Sequence, residues 1–380
     1  MKNMTLNNSN RFLSLDVFRG LTICLMILVN TPGTGAKLYP YLVHADWLGF
    51  TLADLVFPSF LFAMGNAMSF SMNKLKDAPT SLFWRKVIKR TVIIFLLGYL
   101  MYWFPFFSMD TNGGLELKPI SETRILGVLQ RIAICYFITS VLFYYLKEKI
   151  VFIVALIVLM AYWQILYLFG QTGSELEMAT NAITRLDLFI LGEGHIYKKD
   201  SIPFDPEGIL STLPSIVNVV GGYIAGKFIQ QKGKSFQGIS QLLIIGFLLS
   251  ALGLWWDLVF PMSKKLWTSS FVLYTVGIDI SILAVLIYFI EMKNIKTGTE
   301  FFNVFGKNPL FIYLFSELFY IILRMIPTSS GLDAFEWVSE RVFQEVFPGS
   351  FGALLTAIAF MMLCWSLGWY LDKKRIYIKI

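Results

Sequence analysis

Ten stretches of about 20 mostly apolar residues dominate this chain, at 12–31, 51–73, 87–107, 123–146, 150–169, 208–230, 238–258, 267–290, 308–326 and 350–371. Each is long enough to cross a bilayer as a helix, the one open-ended structure that satisfies its own backbone where no water can reach. The chain therefore reads as an all-α polytopic membrane protein of about ten transmembrane helices. Its 380 residues contain no repeat, low-complexity tract or long polar block, so 1–380 reads as a single transmembrane domain. Only 15% of residues are charged, against about 25% in soluble domains.

The net charge of +7 invites a nucleic-acid reading. The distribution of Lys and Arg argues against it. Nineteen of them, from Lys2 and Arg11 to Lys379, fall on one side of the ten-helix threading, and eight fall on the other. Under the positive-inside rule the first side is cytoplasmic. Both termini then lie in the cytoplasm, as an even number of helices requires. The longer connections, 32–50, 108–122, 170–207 and 327–349, lie outside, and they carry both histidines, His44 and His195. Long loops in such proteins usually carry function.

Cys24, Cys135 and Cys364 sit in apolar runs, with no C-x-x-C and only two histidines in the chain, so packing is expected and a metal site is not. The N-terminus has the look of a signal peptide, but Asp16 and Arg19 interrupt its apolar run. It is read as a retained first helix.

Ionisable groups inside membrane helices are costly and by default mark function. Asp16 and Arg19 lie three apart in "LDVFRG". They form either an internal ion pair or, through Arg19, a contact for an anion entering from the cytoplasm. Asn30 lies about 16 Å further along the same helix at about 1.5 Å per residue. A long, thin anion such as acetyl-CoA has the shape to span that distance. Gln130 and Arg131 occupy the outer half of the fourth helix, and Asp54 is the expected carboxylate partner of Arg131. In "FGKNPLF", Asn308 caps a helix and Pro309 opens it. With Lys307 beside it, this helix start suits a phosphate on the cytoplasmic side. "FDPEGIL" makes a similar start outside, with Asp205 as cap and Glu207 placed to meet a cationic acceptor such as an amino sugar.

His44, just before the helix that carries Asp54, is a candidate base or nucleophile because imidazole titrates near neutrality. Asn30 has amide hydrogens to offer a developing oxyanion.

Together "RFLSLDVFRGLTICLMILVN", "HADWLGFTLADLVFPSFLFAMG", "RILGVLQRIAICYF", "LGEGHIY" and "FDPEGILSTLPSIV" resemble the heparan-alpha-glucosaminide N-acetyltransferase family, from about Arg11 to at least 308–326. The chain is expected to correspond to the family's ten-helix catalytic core, without the lumenal domain and first membrane helix of the lysosomal member. The resemblance implies transfer of an acetyl group from cytoplasmic acetyl-CoA to the amine of a glucosamine on the far side. It implies His44 and Asn30 as catalytic residues, and His195, Asp205 and Glu207, with Asp54 near them, at the acceptor site. It also implies a homodimer in a bacterial inner membrane, with the lipid bilayer as surroundings. An acetyl-histidine intermediate and direct transfer both remain open. A transporter of N-acetylglucosamine or a related sugar is the alternative, suggested by polar groups at several depths and by Gly221 and Gly222. No inverted repeat supports it. A scaffold without activity is the third reading.

Overall fold

The structure is a computed structural model that describes residues 12–76, 78–109, 114–199 and 202–378. Lys2, Arg11 and Lys379, counted in the loop bias, lie outside the described residues.

The thirteen helices of the described residues are α1 (Leu13–Asn30), α2 (Leu52–Lys76), α3 (Thr80–Trp103), α4 (Val128–Tyr145), α5 (Glu148–Phe169), α6 (Ala182–Leu191), α7 (Thr212–Lys232), α8 (Phe236–Asp257), α9 (Ser269–Leu286), α10 (Thr299–Lys307), α11 (Pro309–Met325), α12 (Ala334–Trp337) and α13 (Ser350–Lys373). Two short antiparallel ribbons, β1 (Phe107–Met109) with β2 (Leu115–Leu117) and β3 (Lys198–Lys199) with β4 (Ile202–Pro203), lie in the loops. The ten helices other than α6, α10 and α12 correspond to the ten apolar runs.

Seven of them (α1, α2, α4, α5, α8, α9 and α13) are long and apolar enough to cross a membrane unaided, and the bent pair α10–α11 makes an eighth if counted as one span. The other two long helices carry more polar residues. α3 bears Arg85, Lys86, Lys89 and Arg90 in its first half. α7 carries Asn218, Lys227, two glutamines and three glycines, and it is packed against α2, α4, α5, α8 and α9. A helix enclosed by others needs no lipid-facing apolar surface, so its composition understates its depth. By contrast, α5 and α8 turn Ile157, Met160, Phe247 and Trp255 outward, as lipid-facing helices do.

The α2–α7 crossing places the site, and it depends on small residues. A Cβ on Gly65 would stand 1.9 Å from the Val219 carbonyl oxygen, and one on Gly222 2.0 Å from that of Phe62. Gly222 and Gly226, four apart, form the small-residue stripe that lets two membrane helices touch backbone to backbone. Gly222→Val is expected to force the pair apart and to cost about 1–3 kcal/mol or more. A lower melting temperature in detergent, without such a change in a lipid-facing control such as Phe247→Leu, checks this.

Two expectations are corrected. "FDPEGIL" does not begin a helix: 204–211 is an irregular turn, α7 starts at Thr212, and Asp205 caps nothing. Its carboxylate instead accepts from Arg124. "FGKNPLF" is a break between two helices at 84° rather than a single start. Pro309 cannot donate to the preceding turn, so α10 ends at Lys307 and α11 begins anew. The long loop 170–207 also holds α6, whose Asn181 cap accepts from the Thr184 N–H.

Candidate active site

The loop from α1 to α2 folds back on the first turn of α2 through one carboxylate. Thr51 is the cap position of α2, and Asp54, three residues on, reaches back to it. Asp54 Oδ2 accepts from the Thr51 N–H (3.0 Å), the Thr51 hydroxyl (3.0 Å) and the Ala45 N–H (3.1 Å). This is the reciprocal half of a capping box. Its other oxygen, Oδ1, accepts from His44 Nδ1 at 2.9 Å. Asp54 is 1% exposed, whereas the His44 side chain is 36% exposed. The carboxylate thus selects the Nδ1–H tautomer and leaves the Nε2 lone pair on the accessible side of the ring.

Asp54 does not partner Arg131, as expected from depth. The Arg131 guanidinium donates to the Ser211 hydroxyl and the Gly208 carbonyl and lies 4.8 Å over the Trp267 ring. The α1 end places Asn30 elsewhere on this face, where its amide donates to Glu317 of α11 at 3.3 Å.

The loop holding His44 is docked on the 258–268 link between α8 and α9. Gly49 N–H donates to the Met262 carbonyl (2.7 Å), and the Ser263 hydroxyl donates to the Trp47 carbonyl (2.7 Å). This brings Lys264 Nζ to 3.1 Å from His44 Nε2 and 3.3 Å from Nδ1. Burial lowers the pKa of His44, and the Lys264 ammonium adds to that, while the hydrogen bond to Asp54 opposes it.

Beside this pair, Arg124 grips two carboxylates. Its Nε and Nη2 meet Asp205 at 2.9 and 2.6 Å, and Nη2 also meets Glu207 at 2.6 Å. The guanidinium lies between the Tyr102 and Tyr197 rings, 4.9 and 5.2 Å from their centroids. Burial acts against its charge, but Tyr102, Asp205 and Glu207 hold its pKa well above the usual value. Burial would likewise protonate Glu207, but Arg124, Arg131 and Lys264 keep its pKa low. A cavity of about 770 Å³ opens here, lined by Tyr102, Arg124, Glu122, Glu193, Tyr197 and Lys198 among others. His195 borders it, with Nδ1 donating to the Thr123 carbonyl at 2.8 Å. Below it, Asp187 of α6 accepts from the Ile209 N–H, and burial raises its pKa to about 7.

At the other end of the bundle, Arg19 pairs with Asp16. Arg19 also lines a cavity of about 280 Å³ with Arg90 of α3, Pro309 and Leu310 of α11, and α2 residues from Phe60 to Ser71. An adjoining cleft of about 620 Å³ shares Ala67, Ser71 and Arg90 and adds Lys86 and Lys89. Together the two run up α2 from Leu75 to Phe60, toward the turn that holds Asp54. Lys307 and Asn308 line neither. Lys307 pairs with Asp372 at 2.8 Å, and the Asn308 amide holds Ile376 and Ile378 of the tail. Gln130 lies buried on α4 close to Gly98 of α3.

Sequence reasoning missed Arg124, Lys264, Asp187 and Glu317 as members of this site. Their partners stand up to 287 residues away in the chain, so no local spacing marks them. The "TLAD" capping spacing was the one readable signal for how Asp54 is used.

A helix bundle of this apolarity, with polar clefts at both ends, is a multi-pass membrane protein. Residues 11–255 match the family model described as heparan-alpha-glucosaminide N-acetyltransferase, catalytic, and the chain belongs to that family. It is 28% identical to the heparan-alpha-glucosaminide N-acetyltransferase of Mus musculus, over 82% of this chain and 54% of that protein. It is 29% identical to that of Homo sapiens, over 81% of this chain and 53% of that protein. The chain thus spans about half the length of the curated relatives it matches.

Proposed function

We propose that this chain is a transmembrane N-acetyltransferase that takes the acetyl group of acetyl-CoA at the Arg19 end and delivers it to the amine of a glucosamine-type sugar at the His44 end. The observation that carries the reading is the alignment along α2 of a basic slot pointing toward the turn that holds the His44–Asp54 pair. Lys86, Lys89, Arg90 and Arg19 supply cationic groups for the phosphates, and the narrow upper cavity takes an extended arm. Lys307 and Asn308 are less suited to that role, since the tail occupies both. The sugar fits the aromatic and acidic cavity around Tyr102, Tyr197, Glu122 and Glu193.

In the reaction, the amine nitrogen loses a proton and attacks the acetyl carbon, and the C–S bond breaks to release CoA. Because Nδ1 is held by Asp54, His44 acts through Nε2, whether it takes the amine proton or carries the acetyl group. Asn30, whose amide donates one hydrogen to Glu317, has its second amide hydrogen to offer the carbonyl oxygen. The reading includes ten spans, with α7 as an enclosed helix and α3 as a peripheral one that turns Ile88, Val92, Leu96 and Leu100 outward, both termini and the basic cleft in the cytoplasm, a homodimer, and a bacterial inner membrane with the acceptor in the periplasm. The relatives are named as N-acetyltransferases, which lends sugar transport no support.

Purified protein given acetyl-CoA and glucosamine is expected to release CoA and acetylated sugar in equal amounts. Arg90→Glu is expected to raise KM for acetyl-CoA by at least about tenfold, because it reverses a charge in the cleft. Initial-rate kinetics at varied acetyl-CoA check both. CoA binding without product from any amino sugar would refute the acceptor assignment, and no CoA binding would refute the whole reading.

A further inference from the structure

We propose that Lys264 is a positioning residue that holds His44 neutral before substrate arrives, its ammonium donating to the Nε2 lone pair until the substrate amine takes that place. The consequence for catalysis rests on the acetyltransferase reading; the coupling of the two side chains rests on geometry alone.

Lys264 Nζ stands 3.1 and 3.3 Å from the two ring nitrogens of His44. Its backbone is anchored on both sides, through Met262 and Ser263 to the His44 loop and through the Trp267 indole to Asn218. The neighbouring Lys265 is turned away, its ammonium on the Asp46 carbonyl and over the Trp47 ring. A second positive charge on the imidazole would sit within hydrogen-bond distance of this ammonium, which is unfavourable.

The charged groups facing His44 are Asp54 from α2, Glu207 from the α6–α7 turn and Lys264 from the α8–α9 link. Lys264 in turn faces Glu207, Asp54 and Arg131 of α4. Burial draws the Lys264 pKa down, while the Glu207 and Asp54 carboxylates act to keep its charge. Asp54 alone would favour imidazolium, so the protonation of His44 is decided by opposed neighbours. Removing Lys264 leaves burial alone to oppose Asp54, and His44 must then hold its proton to higher pH.

The chain has only two histidines, so ¹⁵N-histidine labelling yields two imidazole signals, and His44→Ala assigns the one that belongs to His44. In Lys264→Met the His44 midpoint is expected to move to higher pH. Lys264→Arg, which keeps the charge, is expected to restore the original midpoint. In acetyl transfer, kcat of Lys264→Met is expected to fall roughly tenfold for each pH unit below the new midpoint, over a range where the unchanged protein stays level. If Lys264→Met does not fold, Lys264→Gln carries the same expectation. A His44 midpoint that does not rise when the charge is removed overturns the proposal even if transfer proceeds. A raised midpoint in a protein that acetylates no amino sugar sustains the coupling and removes the catalytic reading instead.

Discussion

His44→Ala is expected to lower the rate of acetyl transfer by between about 10²- and 10⁴-fold, the range a positioned acid–base or nucleophilic group contributes. It is expected to leave acetyl-CoA binding nearly unchanged, because the basic slot and the imidazole lie at different depths along α2. The His44 side chain is partly exposed, and among the described residues it is held by Asp54 and Lys264. Its loss therefore removes a reactive nitrogen without opening the core. Rates of acetylated sugar formation, set beside a calorimetric Kd for acetyl-CoA, separate the two effects. A variant that keeps more than a tenth of the activity would move catalysis away from His44.

Arg124→Met is expected to be the most damaging single change to stability at this end of the bundle, at about 3–5 kcal/mol. Asp205 is 0% exposed and Glu207 8% exposed, and both depend on the one guanidinium. Without it two buried carboxylates face each other, with only the more distant charges of Arg131 and Lys264 acting on Glu207. Lysine is not expected to substitute, since a point charge cannot span both carboxylates as the planar fork does. The sign with pH follows from Glu207, whose pKa is held below the ordinary value in the intact protein. Its contribution is present above the unfolded pKa and is lost as pH falls through the lowered one. The gap between variant and unchanged protein should therefore be widest near neutrality and narrow in acid, where the orphaned carboxylates take up protons. Thermal or denaturant unfolding in detergent at two pH values tests this, and a gap that does not change with pH would contradict it.

These expectations differ in how far they were legible in the chain. The position of His44 ahead of an apolar helix that carries Asp54 is visible in "HADWLGFTLAD", and the Thr51–Asp54 spacing announces a capping carboxylate. The use of that cap to hold His44 appears only when the ten-residue loop closes on itself. Arg124 carries no local signal of its role: in sequence it is one basic residue at the start of the apolar run 123–146, and only the structure places it before α4. Its partners Asp205 and Glu207 were read as a helix start, since Asp-Pro-Glu is a good opening for a helix. The structure leaves that segment irregular: the Arg124 guanidinium occupies the Asp205 carboxylate, and α7 begins only at Thr212. Likewise Asn308 and Pro309 were correctly read as a boundary, but the boundary is a bend of 84° between α10 and α11.

By itself the sequence determined that the chain forms a bundle of long apolar helices, where those helices lie, and which few titratable groups sit near their ends. Each of these follows from local facts: the length of an apolar run, the loss of a donor at proline, the cost of charge in lipid. Tertiary structure alone decided which charges meet. Lys264 reaches His44 across 220 residues, Arg124 reaches Asp205 across 81, and Asn30 reaches Glu317 across 287. Those meetings depend on how closely the helices cross, at contacts such as Gly65 and Gly222, where a single Cβ would separate the backbones. A hydrogen bond forms only within about 3 Å, so the partners that set the chemistry of His44 are decided by that packing.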